Sequence, residues 1–234
     1  MKIMSFNTQH CLNFIERKID FDIMANAIRS LSPDIVGLNE MRGCGPNPDF
    51  AAQTEILAEL TGMKYYYFAP ALHLPAGLYG NAFLSRIPIV KSEMIMIPDA
   101  PRNPNNVNAR HYETRCVLKA KLENGLTVLV THFGLNPDEQ ENAVKTVLGE
   151  LVSEKCILMG DFNVTPKNPV LLPIRRVMKD TADAFPESKL SFPSDKPERK
   201  IDYIFISPDL DLVSADIPEL IASDHRPHIA EIKL

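Results

Sequence analysis

Cys156-Ile157-Leu158-Met159-Gly160-Asp161-Phe162-Asn163 is the stretch whose reading decides the fold. Its first four residues are apolar on consecutive positions, the pattern of a strand covered on both faces. It then ends on two polar side chains set two residues apart. In extended chain such residues face one side, so Asp161 and Asn163 point together while Phe162 packs inward. Other apolar runs end the same way. Residues 126–131 end at His132, residues 2–6 at Asn7, and residues 34–38 at Asn39-Glu40. Asp202 stands at the mouth of the run 203–206, and Asp224-His225 precede the run 228–232. One strand-end Asn or Asp is ordinarily a turn residue. Acid, amide and imidazole groups recurring at strand ends, with no lysine among them, read as a site on the rim of a rigid sheet.

Outward from these runs, further strand patterns cover residues 64–68, 81–84, 90–97 and 113–122. Residues 21–31 carry apolar side chains at Ile23, Met24, Ala27, Ile28 and Leu31, a helical spacing closed by Pro33. Residues 50–60 and 138–152 read as helices too, the latter opened by Pro137-Asp138. Strands alternate with a few helices, and hairpin-like pairs fill the middle. The expected architecture is α/β (α+β), two stacked mixed sheets with helices on their outer faces. A length of 234 residues, without repeats or Gly/Ser linkers, fits one domain over residues 1–234. The Pro- and Asn-rich residues 97–108 read as a surface loop able to edge a substrate cleft.

Composition narrows the function. Hydrophobic residues at 45% suffice for a sizeable core, and the net charge of −5 is not that of a protein gripping a long nucleic-acid backbone by charge alone. No stretch is long and apolar enough to span a bilayer. The start shows no signal-peptide block, so a cytoplasmic protein is expected. The cysteines lack zinc-type spacing, and Cys156 reads as a small buried hydrophobe.

The polar groups make chemical sense together. A hard divalent cation such as Mg²⁺ (or Mn²⁺) takes carboxylate and amide oxygens, which Glu40 and Asn7 can supply. Asp161 can activate water, and Asn163 can hold that water or a phosphate oxygen. Asp202 and His225 offer a carboxylate–imidazole pair, in which the carboxylate favours the imidazolium. Asn81 and Asn136 are candidate substrate contacts, although Gly80-Asn81 is equally plain turn chemistry. Of the remaining histidines, His10, His73, His111 and His228 read as structural or surface groups, His10 being nearest the site in sequence. Tyr65-Tyr66-Tyr67-Phe68 reads as a strand packed on both faces. Arg102 and Arg110 read as solvated, and Arg115 as a strand residue paired with an acid.

Ser5-Phe6-Asn7, Leu38-Asn39-Glu40, the run from Tyr79 to Arg86, Thr131-His132-Phe133, Gly160-Asp161-Phe162-Asn163, Ile201-Asp202-Tyr203-Ile204-Phe205 and the run from Ser223 to Pro227 resemble motifs of the endonuclease/exonuclease/phosphatase superfamily. That superfamily includes deoxyribonuclease I, exonuclease III, the neutral sphingomyelinases and the inositol-polyphosphate 5-phosphatases. The motifs run in the family's order from residue 5 to the C-terminal end. The resemblance implies a four-layer α/β sandwich. It also implies Glu40 as principal metal ligand with Asn7 beside it, and Asp224 next to the metal. Asp161 then orients or deprotonates the attacking water, Asn163 positions phosphate and water, and His225, oriented by Asp202, contacts the scissile phosphate. His132 matches a phosphate-binding position that is His in deoxyribonuclease- and sphingomyelinase-like members. One departure is Asn39, where the family usually has Gln; its side chain should point away from the ligand side.

The expectation is therefore a metal-dependent phosphoesterase acting on a small phosphodiester, a phospholipid headgroup or a sugar phosphate. A nuclease of the exonuclease III or deoxyribonuclease I type is the alternative, with nucleic acid a possible partner. A non-catalytic binding module would be expected to have lost one of Glu40, Asp161, Asp202 or His225, and all four are present.

Overall fold

Strands of the computed structural model, which describes residues 1–101, 109–186 and 189–234, form two six-stranded sheets. In chain order the strands are β1 (Lys2–Asn7), β2 (Ile35–Arg42), β3 (Tyr65–Leu74), β4 (Gly77–Ser85), β5 (Ile89–Met96), β6 (Cys116–Leu122), β7 (Thr127–His132), β8 (Cys156–Asp161), β9 (Lys179–Asp180), β10 (Asp202–Ile206), β11 (Asp211–Asp216) and β12 (His228–Lys233). The helices are α1 (Phe21–Leu31), α2 (Gln53–Thr61), α3 (Pro137–Glu150) and the short α4 (Leu172–Arg175). One sheet runs β11-β12-β1-β2-β4-β3 and the other β5-β6-β7-β8-β10-β9. Each is mixed, with parallel β1/β2 and β7/β8 pairs among antiparallel neighbours.

The period-2 alternation of each central strand builds the layers. Ile3, Ile35 and Phe83 of the first sheet meet Val128, Val130, Ile157, Met159 and Ile204 of the second in a core between the sheets. The intervening Met4, Val36 and Leu38 face outward onto Met24 and Ile28 of α1 and Leu57 of α2. Leu129, Leu158, Tyr203 and Phe205 face outward onto Val144 and Val147 of α3. The result is helices, sheet, sheet, helices, the sandwich that the resemblance implies. Runs that are apolar on consecutive positions are therefore the central strands, whose two faces are both buried.

Helix ends follow local chemistry. Asp20 caps α1, its carboxylate accepting from the Ile23 N–H at 3.0 Å. α3 opens with Pro137 and a box in which Glu139 Oε2 accepts from the Asn136 N–H at 3.1 Å.

Several boundaries differ from the sequence reading. Strand β6 starts at Cys116 rather than at 113, and Arg115 lies just before it. α2 starts at Gln53, because Phe50 instead packs beneath the Arg42 guanidinium, 4.6 Å from its ring centre. β9 and β11 are strands that the apolar pattern did not mark. Tyr66 lies on the edge strand β3 and is 43% exposed, so that strand is not covered throughout. Arg102 and positions 102–108 of the Pro- and Asn-rich stretch lie outside the described residues. Among the described residues no helix is long and apolar enough to cross a membrane.

Candidate active site

Sheet register brings the first group together. His132 of β7 pairs with Asp161 of β8, and Asp161 pairs with Asp202 of β10. Paired positions project from the same face, so His132, Asp161 and Asp202 form one row across three strands. Gly160 makes the row possible. Its φ is +142°, and a Cβ there would lie 1.8 Å from the Thr131 carbonyl oxygen. In the other sheet Asn7 pairs with Asn39 across β1/β2. There the β2/β4 register shifts between Leu38 and Met41, which pair with Ala82 and Gly80. This bulge at Asn39-Glu40 gives Glu40 a φ of +62° and turns its carboxylate toward the row.

The row is knit by hydrogen bonds. Asn7 Nδ2 donates to Glu40 Oε1 at 2.9 Å and to Asp161 Oδ2 at 3.1 Å, joining the two sheets. The Asn163 N–H donates to Asp161 Oδ1 at 2.9 Å. His132 Nε2 and His225 Nε2 lie 3.5 and 3.6 Å from Asp161 Oδ2. His225 Nδ1 donates to Asp202 Oδ2 at 2.9 Å. Asn163 Nδ2 donates to the Phe133 carbonyl and lies 3.0 Å from His132 Nε2. The Phe192 ring packs on the His225 ring at 4.8 Å between centres, and the Arg199 guanidinium covers Phe192 at 5.0 Å.

Burial sets the electrostatics. Asp161 is 1% exposed and Asp202 fully buried. Burial raises the Asp161 carboxyl well above the ordinary carboxylate range; the His225 charge opposes this and the Asp202 charge adds to it. For His225 burial disfavours the charge, but the carboxylates of Asp202 and Asp161 outweigh it and hold the ring as an imidazolium. For His132 burial, with Arg115 and His225 acting in the same sense, keeps the ring neutral. Burial also raises Asp224, as does Glu40. Burial, and then the Glu40 carboxylate, hold the Tyr79 phenol well above its usual value.

These groups border a cleft of about 260 Å³ that Glu40, Asp161, Asn163, His132, Asp224 and His225 line together. Eight of the ten residues picked out from the sequence thus gather here: those six with Asn7 and Asp202. Asn81 and Asn136 differ. Asn81 Nδ2 donates to the Cys116 carbonyl at 3.0 Å, and its Oδ1 accepts from Asn39 Nδ2 at 2.8 Å, so its amide ties sheet to sheet. Asn136 Oδ1 accepts from the Arg110 N–H at 2.7 Å and its Nδ2 donates to Glu139 Oε2 at 2.7 Å, so it anchors the chain entering α3. Asn7 departs from the expected oxygen ligand: its Nδ2 faces the carboxylates while its Oδ1 accepts from the Gln9 N–H at 3.0 Å. Asn39 does point away from Glu40; its Oδ1 accepts from the Asp161 N–H at 3.0 Å.

The sequence reading missed Phe192 and Arg199, and gave Arg110 to solvent although it too borders the cleft. Phe192 and Arg199 pair with each other in an isolated antiparallel β-bridge before β10, too short for any periodicity to mark a facing side. Arg115 pairs with Glu113 at 2.7 Å, as expected, but also reaches His132 Nδ1 at 2.9 Å. His228 is buried against Thr181, a structural role.

A carboxylate-and-imidazole cluster thus sits at the rim of a two-sheet α/β sandwich. The chain belongs to the endonuclease/exonuclease/phosphatase family, whose model matches residues 4–225. It is similar to the uncharacterized protein YbhP of Escherichia coli (strain K12), 26% identical over 264 positions spanning 100% of this chain and 96% of that protein. Its fold is similar to that of an endonuclease/exonuclease/phosphatase from Beutenbergia cavernae, with a TM-score of 0.78 at 22% identity over 100% of this chain and 71% of that one. It is also similar to a mannosyl-6-phosphatase of Bacteroides thetaiotaomicron, with a TM-score of 0.73 at 17% identity over 100% of both chains. At these identities the two structures speak for the fold alone.

Proposed function

We propose that residues 1–234 act as one catalytic domain that hydrolyses a phosphoester with the help of a divalent cation, Mg²⁺ or Mn²⁺. The observation that carries the reading is the surroundings of Asp161. One buried carboxylate, its proton affinity raised by burial, is ringed by Asn7, His132 and His225 at 3.1 to 3.6 Å. That is an environment suited to a general base.

The donor set fits a hard cation. The Glu40 charge raises the Asp224 carboxyl, and neither residue pairs with a lysine or arginine among the described residues. Two carboxylates that face one cleft without a lysine or arginine partner suit a divalent ion, with Asn7 holding Glu40 in place. Asp161, Asp202 and His225 also offer three donor atoms within 4.8 Å of one another. The 2.9 Å bond between His225 and Asp202 already occupies that pair, which favours Glu40 and Asp224 as the ligands. The cation, when bound, supplies Lewis-acid neutralisation of charge on a phosphoryl oxygen.

The chain's own groups do the rest. Asp161 takes the proton of the attacking water, which the Asn163 side chain helps to place. His225 carries positive charge to the phosphoryl group, and Asp202 fixes which ring nitrogen faces it. His132 adds a hydrogen bond to the same group. Gains of this kind are positional and electrostatic.

The small cleft, bordered by Arg110 and Arg199 in a chain of net charge −5, suits a compact anionic substrate: a small phosphodiester, a phospholipid headgroup or a sugar phosphate. The test is hydrolysis of bis-p-nitrophenyl phosphate and of p-nitrophenyl phosphate, each with Mg²⁺, with Mn²⁺ and with EDTA. Metal-dependent release from either supports the reading. A sugar-phosphate, phospholipid and oligonucleotide panel then sorts the substrate, and no release from any member contradicts it.

A further inference from the structure

We propose that Arg115 fixes the tautomer of His132, making it a neutral ring whose Nε2–H faces the phosphoryl site. The catalytic consequence rests on the phosphoesterase reading above; the tautomer rests on geometry alone. Arg115 Nη1 lies 2.9 Å from His132 Nδ1. A guanidinium has donors only and keeps its protons. The contact is a hydrogen bond only when Nδ1 carries the lone pair. A neutral imidazole has one lone pair and one N–H, so its proton is on Nε2. The other tautomer, or the imidazolium, would press an N–H against a guanidinium N–H in a buried place, His132 being 4% exposed.

The far side of the ring presents Nε2 with an acceptor as well as a donor. Nε2 lies 3.0 Å from Asn163 Nδ2 and 3.5 Å from Asp161 Oδ2. Asn163 Nδ2 spends one N–H on the Phe133 carbonyl at 3.0 Å. Its second N–H lies beside the Nε2–H of His132. Two such donors 3.0 Å apart repel unless both turn to an acceptor; Asp161 Oδ2 offers one to Nε2–H, whereas an Nδ1–H would meet only the guanidinium. Such a pair suits the developing charge of a phosphoryl oxygen.

Arg115 is itself held for this task. Its Nη1 also lies 2.7 Å from Glu113 Oε1 in an ion pair, and the Glu113 N–H donates to Glu139 Oε1 at 3.1 Å. Glu139 belongs to the N-terminal box of α3, so the guanidinium is referred to a helix end rather than to a mobile side chain. Arg115 is thus a positioning residue that acts through His132.

Two-bond ¹H–¹⁵N NMR on ¹⁵N-histidine-labelled protein tests this, with His132 assigned by the signals lost in His132→Gln. We expect a protonated Nε2 and a bare Nδ1 in the wild type. Arg115→Lys, which retains a donor, should keep that pattern and most of the turnover. Arg115→Met should lose it and lower kcat on the order of tenfold or more, with KM little changed. A wild-type His132 protonated on Nδ1 overturns the proposal, as does an unchanged pattern in Arg115→Met. The wild-type spectrum decides even when a variant fails to fold. Because it needs no turnover, it also separates this inference from the phosphoesterase reading, which falls on its own if the wild type hydrolyses nothing.

Discussion

Asp161 and Asp202 stand opposite each other on paired strands, a like-charge contact that costs stability unless a cation lies between. His225 is that cation, with one ring nitrogen toward each carboxylate. Removing it should do two things at once. His225→Ala should cut turnover on the order of a hundredfold or more and also lower the melting temperature at neutral pH while leaving the fold intact. Unchanged thermal stability in the variant would show that the two carboxylates do not repel. Glu40→Ala should differ in kind. Its turnover should return in part as Mg²⁺ or Mn²⁺ is raised, and a metal titration coinciding with that of the wild type would remove Glu40 from the ligand set. Lys200 supplies a pH test away from the cleft. Burial lowers its ammonium from 10.5 to about 8, against the opposing pull of Asp180 and Asp202. The folded chain therefore releases this proton before the unfolded chain does, and its unfavourable charge is carried in full only below about pH 8. Lys200→Met should be more stable than wild type at neutral pH by about 1–3 kcal/mol. That advantage should shrink as pH rises from about 8 toward 10.5. Denaturant midpoints of both proteins across that range measure it, and an advantage that widens with pH would reverse the argument.

Elements place these residues, and β8 is the one on which most depends. Its Gly160 admits the Thr131 carbonyl where any Cβ would collide, and it does so one residue before Asp161. Gly160→Ala should destabilise the protein by more than about 2 kcal/mol and abolish turnover together, read from a denaturant midpoint and an assay on the same preparation. A stable, active Gly160→Ala protein would mean that the β7/β8 approach is not tight. The same strand shows why much of the fold was legible. Cys156 to Met159 are apolar without a break because both faces are covered, and the runs in β1, β2, β7 and β10 announce themselves alike. β11 announces less: from Asp211 to Asp216 the apolar Leu212, Val213 and Ala215 are broken by Ser214 in an edge strand with no clean alternation. The bulge at Asn39-Glu40 was equally silent, since a shift of register leaves no mark on composition. In the site, Glu40, Asp161, Asp202 and His225 could be read because each ends or precedes an apolar run. Phe192 and Arg199 could not, because their place is decided by a single β-bridge that carries no periodicity. Asn81 and Asn136 misled for another reason. An amide beside a site looks the same in sequence whether it faces substrate or is consumed by neighbouring backbone, and here both are consumed.

At the scale of the molecule, two sheets meet and the site occupies their common rim. Asn7 from one sheet donates to Asp161 of the other, and Asn39 crosses the same interface to the Thr131 carbonyl and the Asp161 N–H. The apolar core between the sheets therefore fixes the distance between Glu40 and Asp161, two groups 121 positions apart in the chain. In the proposed reaction this is how a stack of apolar strands presents a carboxylate, made more basic by burial, to the attacking water. The most direct test of that claim is the turnover of Asp161→Asn on the substrate that the wild type hydrolyses, measured on protein freed of host phosphodiesterase and shown to melt as a folded chain. Asn keeps the size of the side chain and loses the base. The rate should fall on the order of a hundredfold or more with Mg²⁺ saturating. Turnover equal to that of the wild type would take Asp161 out of the reaction and contradict the account.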